Sequence, residues 1–300
     1  MDTSDLFQIG TKVKRKNLKT GKFLKLNKDK VMKNKKPVLV VIQGGGCRQI
    51  ECATGILKAF DEVGIVVDKY QGASAGAIVS CLHASGLSGL KIAELIGKTP
   101  VSDLFRFSYL QAVKLFIPLV KVDYVYNTDG LESFLSININ DYDAEEKVLV
   151  TVTRQRDYRS FRIRGDALSA KASSAIPEVF PPVEISKVFY VDGGVIDNIP
   201  MPEILNMDKY EHIYILLCNH DTKTNKKSWT KIGRSLQAIN EITEREAHDV
   251  YELGLDKLPN VTVIQPSKWR SHLLEWSDNN SLINHAYKFT KELLNFNKEI

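Results

Sequence analysis

The feature that most constrains the fold is the run VLVVIQ at residues 38–43, which three glycines follow directly. Continuous β-branched runs of this kind are typical of strands buried on both faces of a parallel sheet. Beyond Gly46 apolar residues recur at helical spacing, and Gly64 is placed to end the helix. The stripe consists of Ile50, Ala53, Ile56, Leu57 and Phe60. The sequence therefore predicts a strand, a glycine turn and a helix.

The same order recurs at a short strand over 66–71, the turn GASAG at 72–76 and an apolar helix that ends near Gly86. Repeated strand-turn-helix units predict an α/β fold with a mostly parallel sheet. Residues 104–126 fit either core helices or a lipid-facing lid. Later strands are predicted in KVLVTVTR, SFRIR, FYVDGG, HIYILLC and VTVIQP, and helices near 228–255 and 280–297.

Charge divides the chain into two parts. Residues 1–36 hold 12 Lys/Arg against 3 Asp/Glu, and the remainder holds 29 against 33. We therefore interpret 1–36 as a basic arm and 37–300 as one α/β domain. No apolar run is long enough to span a membrane, and the acidic start is unlike a Sec signal peptide, so a cytoplasmic protein, peripheral on membranes at most, is expected. The spacing of the 4 cysteines favours reduced, buried thiols.

Ser74 is the candidate nucleophile, because Gly72 to Gly76 fit the pattern G-x-S-x-G between a strand and a helix. A serine at the tip of such a sharp turn needs neighbours without bulky side chains. The helix behind it directs its positive dipole end at the reacting centre. On its own the pentapeptide is a weak signal, because small residues are common in ordinary β-α turns.

Two further glycine turns accompany this motif. Gly44, Gly45 and Gly46 offer unobstructed amides at the start of a helix, which suit a developing oxyanion. Arg48 is expected to hold this turn in shape or to add positive potential. Asp192 ends a short strand and precedes Gly193 and Gly194, so its carboxylate meets little obstruction from neighbouring side chains. Many Asp-Gly pairs are plain turns, so Asp192 is a catalytic candidate only in combination with the Ser74 motif.

Taken together, these motifs resemble the ordered signature of the patatin-like phospholipase family, which is G-G-G-x-[KR]-G, then G-x-S-x-G, then D-G-[GA]. The segment from Ala172 to Pro177, leading into Phe180, also looks like the family's small-residue block before D-G-G. The resemblance runs from about residue 38 to about residue 200. Gln49 departs from it by replacing the last glycine of the first motif.

The resemblance implies a three-layer α/β/α fold with a nucleophile elbow and a lipid acyl hydrolase. It also implies a Ser74 nucleophile activated directly by Asp192 without a histidine, and an acyl-enzyme that water then hydrolyses. A phospholipid or related lipid ester is the expected substrate, with neither metal nor cofactor. The sequence identifies no activating partner and does not reveal head-group preference.

Other interpretations remain open from the residues. An α/β-hydrolase triad would use Ser74, Asp192 and His220, in the chain order of that fold. A dinucleotide site is suggested by Gly44-x-Gly46 with Asp68, although Gln49 occupies the third glycine position. A third possibility is a non-catalytic protein whose arm binds anionic lipid or nucleic acid, although no nucleic-acid partner is expected. The remaining histidines are expected to be structural or at the surface: His83, His212, His248, His272 and His285.

Overall fold

The computed structural model describes residues 36–109, 111, 124–200, 207–218, 231–266 and 274–296. Residues Lys36–Ile300 form one compact unit. Ten strands and nine α-helices occur in the described residues. The strands are β1 Val38–Ile42, β2 Lys69–Ala73, β3 Arg106–Phe107, β4 Tyr126–Asn127, β5 Val148–Arg154, β6 Arg159–Arg164, β7 Val183–Ile185, β8 Val188–Asp192, β9 His212–Leu216 and β10 Val261–Ile264. The helices are α1 Gly46–Val63, α2 Ala75–Ala84, α3 Gly89–Lys98, α4 Val101–Leu104, α5 Asp129–Asn138, α6 Asp141–Lys147, α7 Ala167–Ser173, α8 Lys231–Glu252 and α9 Ser281–Phe296.

The central sheet has the order β10-β9-β1-β2-β5-β8-β7, and β6 pairs with β5 as a further strand. Strands β10, β9, β1, β2 and β5 run parallel. Strands β6, β8 and β7 pair in antiparallel fashion at the other end of the sheet. The predicted α/β class with a mostly parallel sheet is confirmed.

Helices cover both faces of the sheet, as the alternation within β1 shows. Val40 and Ile42 pack into a cluster that contains residues of α1, α2, α3, α5 and α9. Leu39 and Val41 pack on the opposite face with Ala247 and Val250 of α8. Because successive strand residues point to opposite faces, the continuous apolar run is buried on both sides. The three-layer architecture follows from these two clusters.

Some local details differ from the sequence-based expectation. The second strand begins at Lys69 rather than near Val66, whose side chain is 74% exposed. Val66 is β-branched and therefore predicts a strand, although it lies in the connection before β2. The short strand β7 and the β3-β4 pair were not predicted, because runs of two or three residues carry no usable period. The basic arm through residue 35, most of the segment 110–123, His220 and His272 lie outside the described residues.

Within the described ranges, no helix is both long enough and apolar enough to cross a bilayer. All four cysteines are buried thiols that no disulfide joins, as predicted.

Candidate active site

Ser74 occupies the turn between β2 and α2. Its backbone has φ 51° and ψ −123°, a conformation that residues other than glycine rarely adopt. Such a backbone costs on the order of 1–3 kcal/mol and persists only where the surrounding packing imposes it. The Ser74 carbonyl accepts from the Ala77 amide (2.9 Å), so the residue caps α2 directly. The hydroxyl is thereby held beside the positive end of this ten-residue helix.

The two glycines of the GASAG turn are required by close backbone packing. A Cβ atom on Gly76 would lie 2.2 Å from the Ile42 carbonyl oxygen at the end of β1. A Cβ atom on Gly72 would lie 2.5 Å from the Gly76 carbonyl carbon. Because these neighbours are backbone atoms, no side-chain movement can make room. The sequence spacing therefore reflects a turn wedged against the first strand of the sheet.

The register of β5 explains how Asp192 reaches Ser74 from 118 positions away in the sequence. On β5, Ala73 is the partner of Thr151, and Asp192 is the partner of the next residue, Val152. Since β6 pairs along residues Leu149 to Arg154, β2 and β8 must share the other edge of β5. Strand β8 therefore pairs with this edge of β5 beyond the point where β2 ends. Its last residue, Asp192, is brought beside the turn that holds Ser74.

The two side chains form a direct hydrogen bond, in which Ser74 Oγ donates to Asp192 Oδ2 at 2.6 Å. Ser74 is 6% exposed and Asp192 is 1% exposed. Burial raises the pKa of Asp192 to about 7, although the hydrogen bonds from Ser74 and the Gly194 amide oppose the rise. A carboxylate with such a pKa is a competent proton acceptor near neutral pH.

The turn after β8 fixes the other oxygen of this carboxylate. The Gly194 amide donates to Asp192 Oδ1 at 2.7 Å. A Cβ atom on Gly193 would lie 2.1 Å from the Thr151 carbonyl oxygen, so the turn is packed against β5. Each carboxylate oxygen of Asp192 thus has one donor, and Oδ2 is directed at the serine.

The small-residue segment at the end of α7 forms hydrogen bonds with the backbone of both Ser74 and Asp192. Ser173 Oγ accepts from the Ser74 amide (2.7 Å) and donates to the Thr151 carbonyl (2.6 Å). The Ala175 carbonyl accepts from the Asp192 amide at 2.9 Å. Small side chains allow this close approach, which accounts for the composition of residues 172–176.

The glycine turn after β1 lies beside the nucleophile. A Cβ atom on Gly44 would be 3.0 Å from Ser74 Cβ, and Gly45 and Gly46 lead into α1. The Gly44 amide donates to the Asn198 carbonyl at 3.3 Å. Of the three predicted oxyanion donors, Gly44 therefore already has a backbone acceptor. Gln49 is buried, and its Nε2 donates to the Leu216 carbonyl at 3.2 Å, so the departure from the signature is accommodated inside the core.

Sequence reasoning missed Asn198, a buried residue that lies between the two glycine turns. Its side-chain Nδ2 donates to Thr243 Oγ1 (2.9 Å) and more weakly to the Gly44 carbonyl (3.4 Å). Its Oδ1 would lie 2.2 Å from a Cβ atom on Gly44 and 2.4 Å from one on Gly194. The only signal in the sequence is an amide side chain in a short loop, which does not distinguish it from other loop residues.

Helix α8 packs against the loop that contains Asn198. Glu246 Oε2 accepts from the Ile199 amide at 2.7 Å, and burial raises the pKa of Glu246 to about 7. Gln43, the residue before the glycine turn, donates through Nε2 to the Thr243 carbonyl at 2.6 Å. One turn of α8 therefore contacts both loops that flank the serine.

Other predicted residues have structural contacts. Arg48 is 1% exposed and donates through Nη2 to Asn240 Oδ1 at 2.6 Å, which ties α1 to α8. Asp68 accepts from the Val38 amide at 2.8 Å and precedes β2, at the opposite end of the sheet from the glycine turn. The dinucleotide hypothesis needs that carboxylate at the carboxyl end of β2, so it is wrong. His83 contacts Tyr70 and Asp61, and His212 contacts Thr262, which are structural contacts.

Comparisons with known proteins bear on the family and the fold of the chain. The sequence profile described as Patatin-like phospholipase matches residues 40–205. The chain is 24% identical over 282 residues to a protein of Emericella nidulans named lysophospholipase nte1, covering 85% of this chain and 18% of that one. It is 27% identical over 168 residues to an uncharacterized NTE-family protein of Mycobacterium tuberculosis, covering 54% of this chain and 27% of that one. The solved structure of VipD from Legionella pneumophila superposes with a TM-score of 0.51 at 16% identity, covering 87% and 67% of the two chains.

The fold thus defines an α/β protein with a mostly parallel central sheet between two helical layers. The chain belongs to the patatin-like phospholipase family, since the profile covers more than half of its length. It spans about a quarter of the length of the mycobacterial relatives.

Proposed function

We propose that this protein hydrolyses carboxylic esters of phospholipids or related lipids through an acyl-enzyme on Ser74. The observation that carries the proposal is the buried 2.6 Å hydrogen bond from Ser74 Oγ to Asp192 Oδ2. A serine hydroxyl is a weak nucleophile until a base accepts its proton. Asp192 is the carboxylate in contact with that hydroxyl, and its pKa of about 7 suits the task.

In the acylation step, Asp192 Oδ2 accepts the Ser74 proton while Oγ attacks the ester carbonyl carbon. The leaving alcohol then takes this proton as the tetrahedral intermediate collapses to the acyl-enzyme. In the second step, Asp192 accepts a proton from water, and the hydroxide that forms attacks the acyl carbon. The proton returns to Ser74 Oγ as the fatty acid leaves, so the enzyme regains its starting state.

The amides of Gly45 and Gly46 are the proposed donors to the carbonyl oxygen as it becomes negative. Both lie at the start of α1, where helix amides have no intrahelical acceptor and the dipole favours an anion. Gly44 has a different role in this proposal, because its amide donates to Asn198. Its missing side chain leaves room beside Ser74.

A panel of lipids tests the proposed activity. The name of the Emericella nidulans relative makes lysophospholipids the first substrates to include, alongside diacyl phospholipids, glycerides and short-chain esters. We expect mass spectrometry to show release of a free fatty acid from at least one lipid. Absence of hydrolysis across the whole panel would contradict the proposal.

Asn198 provides a test of how the site is held in place. Asn198→Asp keeps the shape but replaces the donors to Thr243 and Gly44 with a charge beside both glycine turns. A small displacement of catalytic groups is costly, so kcat should fall on the order of 100-fold with little change in KM. Steady-state kinetics on a soluble ester measures both constants.

The matched control is Asn260→Asp, because Asn260 also donates through its amide to a backbone carbonyl, that of Met207, away from the glycine turns. The control should retain wild-type kinetics. If Asn198→Asp also retained wild-type kcat, Asn198 would have no positioning role.

For the basic arm, we propose a contact with anionic lipid, based on its excess of 12 Lys/Arg over 3 Asp/Glu. Each lysine near an anionic surface contributes on the order of 1 kcal/mol, and salt screens the attraction. Deleting residues 1–36 should weaken binding to phosphatidylserine vesicles at low salt, while hydrolysis of a soluble ester stays unchanged. Co-sedimentation at low and high salt measures this, and equal binding by both proteins at low salt would exclude the role.

A further inference from the structure

Two of the buried cysteines face each other between α1 and the end of β9. Cys52 lies in the second turn of α1, and Cys218 follows the last residue of β9 by two positions. Cys52 Sγ donates to the Leu217 carbonyl at 3.6 Å, and Cys218 Sγ donates to the Arg48 carbonyl at 3.8 Å. Arg48 precedes Cys52 by one helical turn, so each thiol contacts the backbone beside the other. The Cys52 thiol is also within hydrogen-bonding distance of Cys218 itself.

Cys218 is the more acidic member of this pair. The hydrogen bond from Cys52 lowers the pKa of Cys218, and the positive charge of Arg48 lowers it further, although burial and Glu51 oppose this. The same hydrogen bond, together with burial, raises the pKa of Cys52. Arg48 is 1% exposed, and its Nε and Nη1 have no hydrogen-bond acceptor among the described residues, although Glu244 is a further negative group nearby. A thiolate at Cys218 is therefore stabilised by a buried cation and a thiol donor, as in reactive cysteines.

Cys218 is also the member of the pair that a small oxidant reaches first. It is 6% exposed, whereas Cys52 is fully buried. Hydrogen peroxide is little larger than water, and it reacts with thiolates rather than with thiols. The pKa of Cys47 and that of Cys81 are instead raised, chiefly by burial. Of the four cysteines, Cys218 is therefore the expected site of oxidation.

The segment that carries Cys218 also holds the glycine turn after β1. The Leu216 carbonyl accepts from the Gln43 amide and from Gln49 Nε2, both at 3.2 Å. Gln43 directly precedes the glycine turn, and Gln49 lies in the first turn of α1. A disulfide bond is only about 2 Å long, so closing one from Cys52 to Cys218 draws α1 and this segment together. The glycine turn is displaced with them.

We propose that a peroxide oxidises Cys218 and Cys52 to a reversible disulfide bond, which displaces the glycine turn and lowers the rate of ester hydrolysis. The effect on hydrolysis rests on the proposed function, whereas the formation of the bond does not. Disulfides that form in a reducing compartment are usually transient and redox-sensing, which is the role assigned to this pair.

The oxidation consumes one hydrogen peroxide for each bond. The Cys218 thiolate attacks one peroxide oxygen and the O–O bond breaks, which gives a sulfenic acid and hydroxide. The Cys52 sulfur then attacks the Cys218 sulfur, the S–O bond breaks, and the leaving hydroxide takes the Cys52 proton. The first hydroxide takes the proton that Cys218 released on ionisation. Two thiols are thus oxidised by two electrons, and one peroxide is reduced to two waters.

The first test oxidises the wild-type protein with hydrogen peroxide and maps its peptides by mass spectrometry without reduction. We expect a cross-linked peptide that joins Cys52 to Cys218 and that disappears after dithiothreitol. Hydrolysis of p-nitrophenyl acetate should fall on the order of 10- to 100-fold on oxidation, because small displacements of catalytic groups are costly, and should return on reduction. Absence of this peptide from the oxidised protein, or its formation without loss of activity, overturns the proposal.

Three variants separate the roles of the cysteines. Cys218→Ala should keep its activity after peroxide treatment. Cys52→Ala leaves the sulfenic acid without a thiol partner, so dimedone should label Cys218 in this variant and not in wild type. Cys81→Ala is the matched control, because Cys81 is a fully buried cysteine of α2 outside the pair, and peroxide should inactivate this variant as it does wild type.

Equal inactivation of Cys218→Ala and wild type would also overturn the proposal. The peptide map needs wild type alone, so it decides whether the bond forms even if a variant fails to fold. A wild-type protein that forms the bond but hydrolyses no ester before oxidation would instead contradict the proposed function.

Discussion

Ser74→Ala is expected to abolish ester hydrolysis while leaving the fold intact. The change removes the one oxygen that attacks the carbonyl, and without it only a small residual rate over water remains. The backbone at φ 51° is imposed by Gly72, Gly76 and the Ser173 hydrogen bond rather than by the serine hydroxyl. Turnover should therefore fall by several orders of magnitude with the melting temperature nearly unchanged.

Ser80→Ala is the matched control, because Ser80 is a fully buried serine on the same helix, α2. It should retain activity. A fluorophosphonate probe should label wild type and Ser80→Ala at Ser74, identified by peptide mass spectrometry, and should leave Ser74→Ala unlabelled. Normal hydrolysis by Ser74→Ala would refute the acyl-enzyme on this residue.

The strands and glycine turns could be predicted because each leaves a local pattern. The run over 38–42 is apolar on both faces since β1 is packed between two helical layers. Gly72 and Gly76 are in the sequence because backbone atoms of the turn and of β1 leave no room for a Cβ atom. Patterns of this kind are visible from one sequence, since each is written in a few consecutive residues even where the packing partner is distant.

Contacts between distant elements could not be predicted from residue spacing. The pairing of Ser74 with Asp192 depends on β8 continuing along the edge of β5 where β2 ends, and a register leaves no local sequence pattern. The family resemblance supplied that pair in advance. It did not supply Asn198 or Glu246, because their roles depend on where α8 packs.

Asp192→Asn is expected to lower turnover by several orders of magnitude, because the amide keeps the shape but cannot accept the serine proton. In wild type the base must be ionised, so kcat should rise with pH through the Asp192 pKa of about 7. If Asp192→Asn keeps measurable activity, its kcat should not show this rise with pH. His220→Ala should be nearly silent, since Asp192 contacts Ser74 directly. An equal loss in both variants would favour the triad.

Stability should change in the opposite direction from activity. The folded pKa of Asp192 is raised from the ordinary value of 3.8, so its favourable contribution is complete below pH 3.8 and is lost as pH rises through about 7. At pH 8 wild type therefore carries a buried charge that costs a few kcal/mol, and Asp192→Asn does not. The melting temperature of the variant should exceed that of wild type at pH 8, and the difference should shrink at pH 5. A gap that widened on acidification would show that burial does not raise the pKa of Asp192.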